Sequence, residues 1–164
     1  VPRVRMIKSK QEIKYMKQAS RIVENVMQTA IDSIEAGVRE PEAAANVYHA
    51  QIKGTEEYGG DYTAIAPIMP SGKRTSTAHL TWTDRCYQDE DVVLLELAGS
   101  RKKYHAPLSR TVFIGDPPQE LTDIAKVVVE GVNETLEFIE PGVTCEEVEA
   151  KWRESISGSK VVKE

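Results

Sequence analysis

The sequence predicts an α+β fold, with helices packed on one face of a mostly antiparallel sheet. Three observations predict it. Apolar residues recur at helical spacing over two long N-terminal stretches. The middle of the chain carries short extended runs broken by Gly, Pro and polar clusters. Helical spacing then returns after Pro117-Pro118. Strands grouped between helices, rather than alternating with them one by one, point to α+β and not to a parallel sheet.

In chain order, Ser9 and Glu12 of SKQE form a capping box that opens a helix over about 10–35. Ile13, Met16, Val23, Met27, Ala30 and Ile34 mark its apolar stripe. Ile22, Val26 and Ile31 widen that stripe, and Gly37 stops the helix. A second helix starts at Pro41, a favoured first-turn residue, carries Ala43, Ala44, Val47, Tyr48 and Ile52, and frays near Gly59-Gly60. TAIAPIM (63–69) reads as a strand and PSGKRTST (70–77) as a loop. VVLLELA (92–98) is a strand, SRKK turns the chain, and 104–114 returns as the second arm of a hairpin. After Pro117-Pro118, the stripe Leu121, Ile124, Ala125, Val128, Val132, Leu136 and Ile139 marks a third long helix, ended by Pro141-Gly142. Thr144 and Glu147 form a second capping box, which opens a short helix through Trp152.

Composition narrows the function classes. A chain of 164 residues, 40% hydrophobic and 29% charged, suits one domain with a core. A net charge of −5 with mixed signs argues against nucleic acid as the main partner. No apolar run approaches the ~20 residues that cross a bilayer, so no membrane partner is expected. The basic N-terminus lacks the apolar core of a secretory signal. Cys86 and Cys145 read as reduced core thiols, in keeping with a cytoplasmic location. The chain starts as if continued from something earlier and stops at SGSKVVKE with nothing to close the sheet, so residues 1–164 are expected to be part of a longer protein.

Few residues stand out chemically. Glu96 lies within the apolar run of the first hairpin strand, on the face of Leu94 and Ala98, while Val93, Leu95 and Leu97 point the other way. It is either a strand-end carboxylate paired with an Arg or Lys, or a carboxylate facing a pocket. His79, in STAHLTW, is either structural or a proton carrier near neutral pH. Trp82 is close enough in sequence to form a wall or lid. Pro107 lacks an N–H, so its strand bulges or lies at an edge there. Arg110 shares a face with Leu108 and Val112, and Glu96 across the hairpin is its candidate partner. No phosphate loop, nucleophile elbow, paired Cys ligands or helical His-Glu-x-x-His is present. Spacing alone therefore names no enzyme.

Several separated segments nonetheless match one family in order: Ser71-Gly72, His79, Asp91-Val92-Val93-Leu94-Leu95, Glu96-Leu97-Ala98, and Tyr104 through Arg110-Thr111 to Gly115. Together with RMIKSKQEIKYMKQA at the start, they resemble the "pita-bread" family of creatinases, prolidases and methionine aminopeptidases. The resemblance implies half of a pita-bread fold, with an N-terminal domain and the second half of the catalytic domain lying outside the chain. That second half carries a further His and two Glu of the family's catalytic set. In metal-dependent members, two aspartates of the hairpin ligate a dinuclear centre. Here Glu96 stands at the first position and Pro107, which has no side-chain donor, at the second. The resemblance therefore implies the metal-free branch, with no metal and no cofactor.

Within that branch, GGDYTAIAPIMPSGKRTSTAHLTWTDR and ELAGSRKKYHAPLSRTVFIG resemble the ectoine hydrolases. This implies C–N hydrolysis of a small cyclic amidine by a cytoplasmic homodimer. Glu96 and His79 are then the expected catalytic pair, Tyr62, Trp82 and His105 the expected substrate walls, and Arg110 a hairpin support. Two other readings stay open. One is a metal-dependent Xaa-Pro peptidase, in which His105 is the only nearby donor to replace the missing aspartate. The other is a non-catalytic peptide-binding module.

Overall fold

A computed structural model describes residues 2–157. The chain divides into two compact units, Val1–Asp116 and Pro117–Glu164. In the first unit, α1 (Pro2–Met6) precedes α2 (Lys10–Asp32) and α3 (Glu40–Lys53). A 3-10 turn (Gly72–Ser76) follows, and then the antiparallel strands β1 (Val92–Arg101) and β2 (Tyr104–Phe113).

The predicted capping box is present. Ser9 Oγ accepts from the Glu12 N–H at 3.3 Å, and Glu12 accepts from the Ser9 N–H at 2.6 Å. The α2 stripe is rotated from its expected centre. Ala19, Ile22, Val23, Val26, Met27 and Ala30 are buried, whereas Ile13, Met16 and Ile31 are exposed. The rotation follows from what α2 packs against, because its middle turns lie on β1. A Cβ added to Gly99 of β1 would come 2.3 Å from the Ala19 carbonyl oxygen and 2.7 Å from the Val23 nitrogen. Only a glycine allows that approach. The α3 helix ends at Lys53, earlier than Gly59-Gly60, with Gly54 at its C-cap.

The β1 strand alternates as expected. Val93, Leu95 and Leu97 are buried in a core shared with Ile22, Val26, Val47, Met69 and Tyr87, while Val92, Leu94 and Glu96 are half-buried on the other face. The 63–69 segment is not a strand. Only Ile68 of that run bridges to β1, at Glu96, and Ser71 bridges further along at Val93. Residues 62, 64, 65 and 66 are exposed, so nothing apolar holds them to a ladder. Both cysteines are free, but neither is a core thiol: Cys86 is half-buried and Cys145 is exposed.

In the second unit, α4 (Gln119–Phe138) packs on α5 (Cys145–Ser157). Gly131 makes the close contact: an added Cβ would lie 3.0 Å from both Trp152 and Ile156. The Thr144–Glu147 capping box is present. The predicted α4 stripe is largely exposed at Leu121, Val128, Val132, Leu136 and Ile139. Among the described residues no helix is long and apolar enough to cross a membrane.

Candidate active site

Glu96 lies in the middle of β1. Its backbone pairs on both sides, with Ser109 of β2 and with Ile68, whose N–H and C=O exchange hydrogen bonds with it at 3.2 and 3.0 Å. This double pairing fixes the Cα and leaves the side chain on the outer face of the hairpin, 38% exposed. His79 arrives there from a different segment. It sits in the turn after the 3-10 helix at φ +59°, a left-handed conformation unusual for a residue with a Cβ. Its Nδ1 lies 3.2 Å from Glu96 Oε2. The structure thus brings together the two residues expected to carry chemistry.

The loop bearing His79 has no core of its own, since every residue from 72 to 84 is exposed or half-buried. Its feet are held by polar contacts instead. Glu40, in the first turn of α3, is fully buried. Its carboxylate accepts from Ser71 Oγ at 2.5 Å, from the Thr83 N–H and hydroxyl at 2.5 and 2.8 Å, and from Arg74 at 3.4 Å. Arg85 donates to Ser71 Oγ and, at 2.8 Å, to Asp91, and lies 3.8 Å from Glu40. Two carboxylates and two guanidiniums balance in charge, as buried ions require. Gly72, at φ +57°, leaves room for the cluster, because a Cβ there would meet Asp91 Oδ1 at 2.6 Å. Sequence reasoning gave Glu40 no place. The one signal available was an acid directly before Pro41 at a helix start.

The other expected site residues are placed differently. The Glu96–Arg110 pairing is overturned: Arg110 registers with Leu95, on the opposite face of the hairpin from Glu96, and donates to the Ser109 carbonyl at 2.7 Å. His105 shares the outer face with Glu96, but both of its nitrogens are engaged. Nε2 accepts from the Ala64 N–H at 3.1 Å, and Nδ1 lies 3.1 Å from the Lys103 carbonyl. Tyr62 is exposed, with Lys103 Nζ 3.4 Å above its ring. Trp82 packs on the core and meets the Tyr48 ring edge-on at 5.8 Å. A cleft of about 830 Å³ at the hairpin turn includes Glu12, Lys103, Tyr104 and His105, but neither Glu96 nor His79.

Of the two hairpin positions that the resemblance assigns to metal ligands, Glu96 carries a donor and the second does not fit a metal. Pro107 registers with Ala98 on the same strand face as Glu96, at the position of the second ligand, and has no donor. His105, the nearest alternative, is bound to backbone through both nitrogens.

An antiparallel hairpin packed on helices, with a carboxylate–imidazole pair on its outer face, defines an enzyme-like half-domain of the pita-bread class. The family model "Metallopeptidase family M24" matches residues 14–163, and the chain belongs to that family. It is 45% identical over 161 residues to the uncharacterized hydrolase/peptidase y4tM of Sinorhizobium fredii, covering 98% of this chain and 41% of that protein. It is 38% identical over 143 residues to the ectoine hydrolase of Halomonas elongata, covering 84% of this chain and 36% of that enzyme. Among solved structures it resembles the prolidase of Pyrococcus furiosus, with a TM-score of 0.87 and 29% identity over 94% of this chain and 45% of the prolidase. The chain thus spans less than half the length of these relatives. It has the fold of the first half of a pita-bread domain, and its relatives are hydrolases and peptidases.

Proposed function

We propose that the whole protein is a metal-independent hydrolase of C–N bonds in a small cyclic amidine of the ectoine type. We propose that residues 1–164 supply the first half of its catalytic domain. The observation that carries this reading is the Glu96–His79 pair beside Pro107: a carboxylate is retained where its ligand partner is replaced by a residue without a donor. The likeness to an ectoine hydrolase supports the substrate class.

The chemistry suits the pair. An amidinium is cationic and its central carbon is electrophilic. Glu96 holds the cation by a charge-assisted contact and takes a proton from the attacking water. The water oxygen bonds to the amidinium carbon, and one ring C–N bond breaks. His79 passes the proton to the released nitrogen. Both water protons end on that amine, so the amidinium becomes an amide and an ammonium, here an N-acetylated diaminobutyrate. The second half of the domain contributes further catalytic groups. The assembly is proposed to be a cytoplasmic homodimer.

The test is incubation of the full-length protein with ectoine, with and without a chelator. Ring opening that survives chelation is expected. Xaa-Pro dipeptide cleavage that the chelator abolishes would establish the peptidase reading instead.

A further inference from the structure

We infer that Glu40 is a positioning residue that sets the place of His79 against Glu96, an inference that rests on the catalytic reading of this pair. A fully buried carboxylate is costly unless it is hydrogen-bonded and paired. An apolar residue would serve packing at that point with less cost. Glu40 instead takes its partners from the two feet of a single loop: Ser71 and Arg74 at one end, Thr83 and Arg85 at the other.

Between 72 and 84 that loop has no fully buried side chain, and only the half-buried Trp82 packs against the core. Beyond that contact, its course follows from where its ends are clamped and from two further hydrogen bonds. Arg74 donates to the Thr81 carbonyl at 2.8 Å, and the Met69 N–H donates to the Leu80 carbonyl at 3.2 Å. His79 stands between those ties in a left-handed conformation. A residue with a Cβ persists at such an angle only where its surroundings over-determine it. The clamp also reaches the second partner. Asp91, which receives Arg85, lies just before β1, and Ser71 bridges to Val93 on the strand that carries Glu96. One buried carboxylate therefore ties the histidine loop to the glutamate strand.

The experiment uses the full-length protein and the variants Glu40→Gln, His79→Ala and their double. Glu40→Gln keeps shape and removes charge. Its kcat on ectoine is expected to fall roughly 10- to 100-fold, the scale of a displacement near 1 Å, with KM held within about twofold. In a His79→Ala background the same change is expected to add nothing, because the two act through one group. The imidazole NMR signals of His79, assigned by their loss in His79→Ala, are expected to move in Glu40→Gln. Additive losses, or unmoved signals in a folded variant, would overturn the inference. If Glu40→Gln does not fold, Thr83→Val removes one donor to the same carboxylate. Unchanged kcat and unchanged His79 signals in folded Thr83→Val would likewise refute it. If the wild type does not open ectoine, the proposed function fails, and the imidazole signals alone decide the positioning role.

Discussion

Nδ1 of His79 lies 3.2 Å from Oε2 of Glu96, although one residue comes from a mostly solvent-exposed turn and the other from the middle of a doubly paired strand. In the proposed mechanism this contact sets Nδ1 of the imidazole toward the acid. Its Nε2 is then the atom left to exchange a proton with a substrate. We propose that the contact serves a relay: carboxylate, imidazole, leaving nitrogen.

Removing either end of this relay is expected to disable turnover and spare the fold. Neither side chain belongs to the buried core. In the full-length protein, Glu96→Gln and His79→Ala should each lower kcat by about 10²- to 10⁴-fold, with thermal midpoints near that of the wild type. Full activity in either variant would remove that residue from the mechanism.

The resemblance named the pair, but from spacing alone it was legible only as two separate residues, and the reason is physical. Alternation along VVLLELA identifies the face of Glu96, because the period of a strand is two. Cross-strand register depends on the turn. Lys102 and Lys103 both adopt positive φ, at +51° and +66°, a tight reversal that no Gly or Asn announces. The reversal sets Arg110 opposite Leu95, so an expected partner of Glu96 lands on the wrong face. The capping boxes at Ser9 and Thr144 were legible because their signal is local. The Glu40 cluster was not, since it joins residues 40, 71, 85 and 91 through the tertiary fold.

Acid should loosen the junction between the start of α2 and the hairpin. The Glu12 carboxyl is held down at about 2 by the Ser9 N–H, the Ser9 hydroxyl and the Tyr104 hydroxyl, which donates at 2.8 Å. A carboxyl depressed in the folded state contributes stability that is full above its unfolded pKa, near 4.5, and is lost as pH falls toward 2. The thermal midpoint of the wild type should therefore decline through that window. Glu12→Gln should show a shallower decline there. Parallel curves for the two proteins would refute the coupling.

Gly99→Ala tests the close approach of α2 to β1. The added carbon would meet Ala19 and Val23 backbone atoms at 2.3 and 2.7 Å, and backbone cannot swing aside as a side chain can. The α2 helix would have to lift from β1. A loss of roughly 1–3 kcal/mol or more is expected from such overpacking, read as a lowered denaturant midpoint. A midpoint equal to the wild type would mean that the α2–β1 spacing is wider than described.

Tyr87→Phe should go the other way. Tyr87 is fully buried among the core residues, and its hydroxyl has no hydrogen-bond partner among the described residues. Burial, and next the charge of Glu40, push the phenol's pKa up, so the group stays neutral and its oxygen remains an unpaired polar atom in the core. A buried polar group without a partner has surrendered its bonds to water and gained none in return. Deleting the oxygen removes that deficit and leaves the ring's packing intact. The variant is therefore expected to be neutral or more stable by up to about 1 kcal/mol in denaturant unfolding. Arg85 and Glu40 would keep their own partners, so catalysis in the full-length protein should not change. A loss of more than about 1 kcal/mol would mean that the hydroxyl is bonded after all, and that the cluster around Glu40 extends one residue deeper into the core than its hydrogen bonds indicate.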